Sequence, residues 1–130
     1  MAKINYTTVG SNKLKGAMAF YDALLPLAGF GPAMEHHSGG RAYANADGQI
    51  FGVFGPFDKQ PATVGNGSML AFAFDERAEV DAFHAKALEL GGTNEGDPGY
   101  RGDPKFGYYF AYFRDLDQNK FAVFSIQPQT

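Results

Sequence analysis

The chain spells one stretch of grammar twice, and that repetition limits what it can fold into more than any other property of the sequence. Ala19 to Gly29 reads AFYDALLPLAG and Ala82 to Gly92 reads AFHAKALELGG, with Ala, Phe, Leu, Leu and Gly in register at an offset of 63 residues. Near the ends of the two halves DGQIFGVF, from Asp47 to Phe54, returns as DQNKFAVF, from Asp117 to Phe124, at an offset of 70. The second half therefore carries an insertion, which EGDPGYRGDPKFG after Asn94 supplies. Internal duplication is the economical reading, and two like segments fold as two like modules.

Within each copy the elements keep one order. Ile4 to Val9 and Met69 to Phe74 read as strands, the second with Leu70, Phe72 and Phe74 on one face and Met69, Ala71 and Ala73 on the other. A helix follows each. The first places Leu14, Ala17, Met18, Tyr21, Leu24 and Leu25 at helical spacing, with Ser11 or Asn12 as N-cap and Gly29 as stop. The second uses Val80, Phe83, His84, Ala87 and Leu88, with Asp75 as N-cap and Gly91 and Gly92 as stop. Three further strands complete each copy: Phe30 to His37, Arg41 to Ala46 and Gln49 to Gly55, then a short one at Thr93, Tyr108 to Arg114 and Lys120 to Ile126. Asp47-Gly48 marks a hairpin turn. The expected fold class is α+β, with two tandem βαβββ modules (about 1–63 and 64–130) in a single domain of 130 residues, joined by a Pro-, Gly- and Asn-rich linker from Pro56 to Gly67. Helices cover one face of each sheet, so the other faces need a cover: each other, a second subunit, or a ligand in a shared cleft.

Composition excludes several function classes. At 45% hydrophobic and 15% aromatic the chain can bury a core without staples, and it has no cysteine for a disulfide, a thiolate nucleophile or a zinc ribbon. Eleven basic residues are scattered against fourteen acidic ones, which leaves no patch for nucleic acid or an anionic membrane. The opening residues hold no apolar signal core, and the weakly charged run from Gly16 to Met34 is broken by Asp22, prolines and glycines. A soluble, cytoplasmic protein is the expectation.

The segments INYTTVGSNKLKGAMAFYDALLPLAGF, MLAFAFDERAEVDAFHAKALELGG and YFRDLDQNKFAVF together resemble the glyoxalase/bleomycin-resistance/dioxygenase group, the vicinal oxygen chelate superfamily, over about Ile4 to Ile126. Members usually carry a DPDGN-like turn before the last strand; Asp115, Asp117 and Asn119 fit it, while Leu116 and Gln118 depart. The resemblance implies a glyoxalase-like fold, a homodimer, and in metal-dependent members a divalent cation held on the modules' first and last strands as a Lewis acid. The corresponding positions here are Tyr6 and Met69 on the first strands and Gly52 and Ala122 on the last. None is His, Asp or Glu, the donors a hard or borderline cation needs. No metal and no other cofactor is expected.

The remaining polar residues divide between function and plain structure. His36 and His37 are neighbours, so on a strand they point to opposite faces; a solvent-exposed strand end is their simpler reading. His84 falls on the apolar helical stripe, where packing is the simpler role. Arg41, Tyr43 and Asn45 share one strand face, which either looks into the cleft, with Arg41 meeting an oxyanion, or is merely solvated. Strand parity sends Tyr6, Thr8, Gly52, Phe54, Met69, Ala71, Ala122 and Phe124 to the cleft side, and Val9, Val53, Phe72 and Val123 to the helices. The inserted loop Gly96 to Gly107, with Tyr100, Arg101, Asp103 and Lys105, reads as a flap over the cleft or as a surface loop. A cleft lined by Tyr6, Thr8, Arg41, Tyr43, Gly52, Phe54, Met69, Ala71, Ala122 and Phe124 suits a small apolar or aromatic molecule, though the same side chains could fill it as core. Three functions fit: a binder of a small organic molecule; a lyase, isomerase or dioxygenase using Tyr6, Arg41, a histidine or relocated metal ligands; or a structural or regulatory dimer.

Overall fold

The computed structural model describes residues 1–129. The chain forms two compact units, one spanning Met1–Gly65 and the other starting at Asn66. The first contains β1 (Tyr6–Gly10), α1 (Leu14–Leu24), β2 (Gly31–Glu35), β3 (Arg41–Ala44) and β4 (Ile50–Phe54), with its sheet ordered β1-β4-β3-β2. The second contains β5 (Leu70–Ala73), α2 (Arg77–Glu89), β6 (Thr93–Tyr100), β7 (Tyr108–Arg114) and β8 (Lys120–Ile126), ordered β5-β8-β7-β6. In each sheet the first strand pairs in parallel with the last and the rest pair antiparallel. This is the α+β fold of two βαβββ modules that the duplication predicts. Among the described residues no helix is long and apolar enough to cross a membrane.

One face of each sheet is sealed by its helix. In module one Tyr21 of α1 lies 4.9 Å from Phe51, and Phe20, Leu24, Tyr43 and Val53 are buried around them. In module two the Phe83 ring of α2 sits 5.7, 5.3 and 6.0 Å from Phe72, Phe74 and Phe113, with Val80, Ala87, Phe121 and Val123 completing the layer. Each large side chain buried this way contributes about 1.5–3 kcal/mol. His84 belongs to the same layer: it is buried, and its Nε2 lies 3.1 Å from both Asn94 Oδ1 and the Tyr112 carbonyl. It therefore donates to oxygen acceptors and ties α2 to β6 and β7.

The element ends differ from the sequence expectations for identifiable reasons. α1 starts after Lys13, because Asn12 spends its amide on Ala62 and Ser11 Oγ accepts the Lys13 N–H at 3.0 Å. It stops at Leu24, where Pro26 forces a 3-10 turn over Leu25–Ala28 before Gly29. α2 is capped by Glu76 instead of Asp75, with Glu79 Oε1 accepting the Glu76 N–H at 3.1 Å. The short strand expected at Thr93 runs on through Tyr100, so the insertion, read as a flap or a surface loop, is instead a bulged strand and a tight turn over Pro104–Phe106. That turn is fastened to the tail: Gln127 N–H donates to the Gly107 carbonyl and Gln129 N–H to that of Lys105.

The repeated turn has one construction in both modules. Asn45 Oδ1 accepts the N–H groups of Asp47 and Gln49 at 3.1 and 2.9 Å, and its own N–H donates to the Gln49 carbonyl. Asp115 Oδ1 accepts those of Asp117 and Asn119 at 2.9 Å each, and its N–H donates to the Asn119 carbonyl. Both turns place their fourth residue in the left-handed region, Gly48 at φ 78° and Gln118 at φ 72°. Glycine accepts that φ freely. At Gln118 the asparagine-like cage has to hold a side chain there.

Candidate functional site

Pairing registers settle which side chains share a face. Thr8 pairs with Gly52 and Gly10 with Phe54, so Tyr6, Thr8, Gly52 and Phe54 lie on the face away from α1, as parity predicts. Arg41 pairs with Val53 and Tyr43 with Phe51, which puts both on the helix face. This corrects their assignment to a ligand cleft and, for the buried Tyr43, also the alternative of a solvated face, while Arg41 sits in a partly exposed ion-pair cluster. Tyr43 is fully buried, and its hydroxyl donates to Asp22 Oδ1 of α1 at 2.7 Å. Arg41 bridges Asp22 at 2.6 Å and Glu35 at 2.7 Å, so its charge is already matched. The reason is the hairpin: a turn at Asp47-Gly48 aligns Ala44 with Ile50 on the open face, so the alternate pairs, Tyr43 with Phe51 and Arg41 with Val53, fall on the helix side.

The Asp22, Tyr43 and Arg41 cluster has a pH signature. Burial, and then the hydrogen bond to Asp22, push the Tyr43 phenol well above its ordinary value; the bond to Asp81 and then burial push Tyr109 up to about 12. A raised folded-state pKa contributes stability that is complete below the unfolded value near 10 and is lost as pH climbs through the folded value. Urea unfolding followed between about pH 8 and about pH 11 should therefore show falling stability above about pH 10, with a shallower fall in Tyr43→Phe. At neutral pH that variant should lose about 1–2 kcal/mol, since Asp22 keeps Arg41 but loses a buried donor. An unchanged alkaline slope would remove Tyr43 from this account.

Beside Thr8 and Phe54 module one opens a cavity of about 1090 Å³. Its walls include His36, His37 and Ser38 from the β2–β3 connection and the segment 56–63. The two histidines do not diverge as they would on a strand, because β2 ends at Glu35 and the chain turns. Their ring centroids stand 4.2 Å apart, and the His36 ring stacks on Phe54 at 3.8 Å and 11°. Ser38 N–H donates to His36 Nδ1 at 3.2 Å, which makes Nδ1 an acceptor and places the proton of the neutral ring on Nε2. The Ser38 hydroxyl lies 2.8 Å from the same nitrogen and accepts the Gly55 N–H. The segment 56–63 is held as a wall by Asn12, whose Nδ2 donates to the Ala62 carbonyl at 2.9 Å while its Oδ1 accepts the Ala62 N–H at 2.6 Å. Gly10 admits this approach: a Cβ there would stand 2.9 Å from Ala62 Cβ.

In module two Ala122 and Phe124 share the face away from α2 with Ala71, and Met69, just before β5, is half exposed. Phe110 and Tyr112 join them, having been missed because the sequence reading counted only the first and last strands. Phe110 pairs with Phe124 and stacks on it at 4.9 Å and 10°, and Tyr112 follows at 6.2 Å. The signal was present in YYFAYF, whose alternate residues are all aromatic.

The positions where the resemblance implies a metal do not fit one. Tyr6 offers an exposed phenol, Met69 a thioether, and Ala122 is buried without a donor atom. Gly52 has no side chain, and Phe54 fills the space, since a Cβ there would meet its ring at 2.6 Å. Among the described residues no three His, Asp or Glu side chains gather as a metal site.

A scan against protein-family models and a search among curated proteins return no match. Solved structures do match. A glyoxalase/bleomycin resistance protein from Albidiferax ferrireducens T118 is 40% identical, with 95% of this chain and 98% of that one covered and a TM-score of 0.83. A genomically encoded fosfomycin resistance protein from Listeria monocytogenes is 17% identical, with 96% and 93% covered and a TM-score of 0.71. A lactoylglutathione lyase from Agrobacterium tumefaciens is 22% identical, with 96% and 94% covered and a TM-score of 0.66. The last two share the fold. The 40% identity over nearly the whole of both chains goes further, and this chain belongs to the glyoxalase/bleomycin resistance/dioxygenase family, the vicinal oxygen chelate superfamily.

Proposed function

We propose that the protein binds a small, planar organic molecule without a metal ion. The observation that carries this reading is the cavity beside Thr8 and Phe54, whose size suits a small-molecule ligand and one part of whose wall is the ring stack of His37, His36 and Phe54. A flat apolar ligand continues such a stack, and an offset ring pair contributes about 0.5–1.5 kcal/mol beyond the area it buries. Support also comes from the four family metal positions, where Tyr6, Gly52, Met69 and Ala122 offer no carboxylate or imidazole.

The test uses the neutral dye phenylnaphthylamine, followed by fluorescence on untagged protein. Saturable binding in the micromolar range is expected, weakened about tenfold in Phe54→Ala. Elemental analysis and thermal melts with Zn, Ni, Mn and Fe(II) accompany it. Stoichiometric metal, or a melting point several degrees higher with one ion, would overturn the metal-free reading.

A second reading, an acid–base lyase or isomerase, is favoured by His36, which lines the cavity and whose neutral ring has its proton on Nε2. Turnover of lactoylglutathione, the compound in the Agrobacterium enzyme's name, abolished in His36→Gln, would carry that reading. Dye binding without turnover would leave binding as the function.

A further inference from the structure

The open face of module two holds two cations without carboxylate partners. The Arg101 guanidinium carbon lies 5.5 Å from the centre of the Tyr112 ring and Lys120 Nζ lies 5.6 Å from it. Among the described residues neither side chain makes an ion pair. Arg101 is fixed instead by neutral acceptors, the carbonyls of Gly99 at 3.0 Å and Asp97 at 2.9 Å, which hold its plane without cancelling its charge. The strand beneath is shaped for it: a Cβ on Gly96 would stand 2.9 Å from the Tyr112 ring and 3.3 Å from Arg101 Nη2, and one on Gly99 would stand 3.4 Å from Nη1. The acid beside Lys120 is already taken, since Glu95 pairs with Arg114. Next to this pair of charges runs the aromatic surface of Tyr112, Phe110 and Phe124, all half-buried.

Arg101 and Lys120 place two positive charges against one ring, a local excess that the ring's π face offsets only in part. An anion would relieve it with charge-assisted hydrogen bonds. We propose that this face is a binding site for planar aromatic anions such as aromatic carboxylates, with the ring on Phe110 and Phe124 and the anionic group on Arg101 and Lys120. The inference rests on the reading above in one respect, that open sheet faces of this protein take flat organic molecules.

Naphthoate and its neutral isostere naphthamide separate the two ideas. Each is titrated into isotope-labelled protein while amide resonances of both modules are followed. Naphthoate should bind about tenfold more tightly than naphthamide and shift resonances of Phe110, Tyr112 and Phe124. The advantage should shrink to about twofold in Lys120→Gln and survive in part in Arg101→Lys, which keeps the charge but not the fork. Thermal melts of both variants confirm folding, and raising the salt concentration in the native protein should reduce the preference with no substitution at all. Equal affinity for the two compounds, or naphthoate shifts confined to module one, overturns the anion site and leaves the ring-binding reading standing. If neither compound binds, the anion site is overturned, while the dye titration decides the module-one cavity separately.

Discussion

Replacing Asp115 with alanine should cost the second module about 3 kcal/mol, a large loss for a single substitution. The carboxylate is 2% exposed and accepts three hydrogen bonds at 2.9 Å, from the backbone of Asp117 and Asn119 and from Asn119 Nδ2. Alanine would take this acceptor from all three donors in a half-buried turn, and unsatisfied groups cost more than the bonds contributed. Gln118 would also lose the cage that keeps it at φ 72°. Asp115→Asn supplies the contrast. Module one builds the same turn on Asn45, whose Nδ2 donates to Gln49 Oε1 at 2.8 Å, and a flipped Asn119 amide could accept in the same way. That variant should stay within about 1 kcal/mol of the native protein. Urea unfolding of both decides the matter: equal losses would mean that the carboxylate's charge, and not its geometry, holds the turn.

Gly40→Ala should be as damaging in module one, at about 3 kcal/mol, the upper end of what overpacking costs. A Cβ at this position would stand 2.0 Å from the Val53 carbonyl oxygen and 2.8 Å from Phe54 Cα. Both are backbone atoms, so no rotamer change can yield and the β3–β4 pairing must open. The Gly40 carbonyl also accepts the His36 N–H at 2.8 Å, so the shift reaches the His36 and Phe54 stack. Stability and dye binding should fall together. A variant that melts within about 1 kcal/mol of the native protein and still binds the dye would show that the strands part more easily than their packing implies.

The repeat made the architecture legible, because periodicities of 2 and 3.6 survive in short segments and appear here twice. Tyr108–Arg114 and Lys120–Ile126 match the sequence reading to the residue, since Gly107 and the Asp115 turn bound them sharply. Parity also placed Thr8 and Gly52 opposite Val9 and Val53. What it lacked was the register across the hairpin, which alone sends Arg41 and Tyr43 to the helix. The histidine pair was misread because strand alternation was carried past Glu35, where the backbone stops being a strand. The wall at 56–63 depends on Asn12 meeting Ala62 fifty residues away, and no local pattern encodes such a contact. The guanidinium over Tyr112 was hidden for the same reason: glycines in a run like EGDPGYRG look like a loop until a partner strand is seen to need them flat.

The fastening of residues 56–63 by Asn12 has an evolutionary consequence. Duplication gave the chain two equivalent scaffolds, and shared ancestry constrains them both to keep folding. The Asn12–Ala62 clasp lies outside the duplicated grammar, as does the glycine-rich strand under Arg101, so neither has a twin whose chemistry it must match. Substitutions confined to those unpaired segments leave the two repeated halves intact.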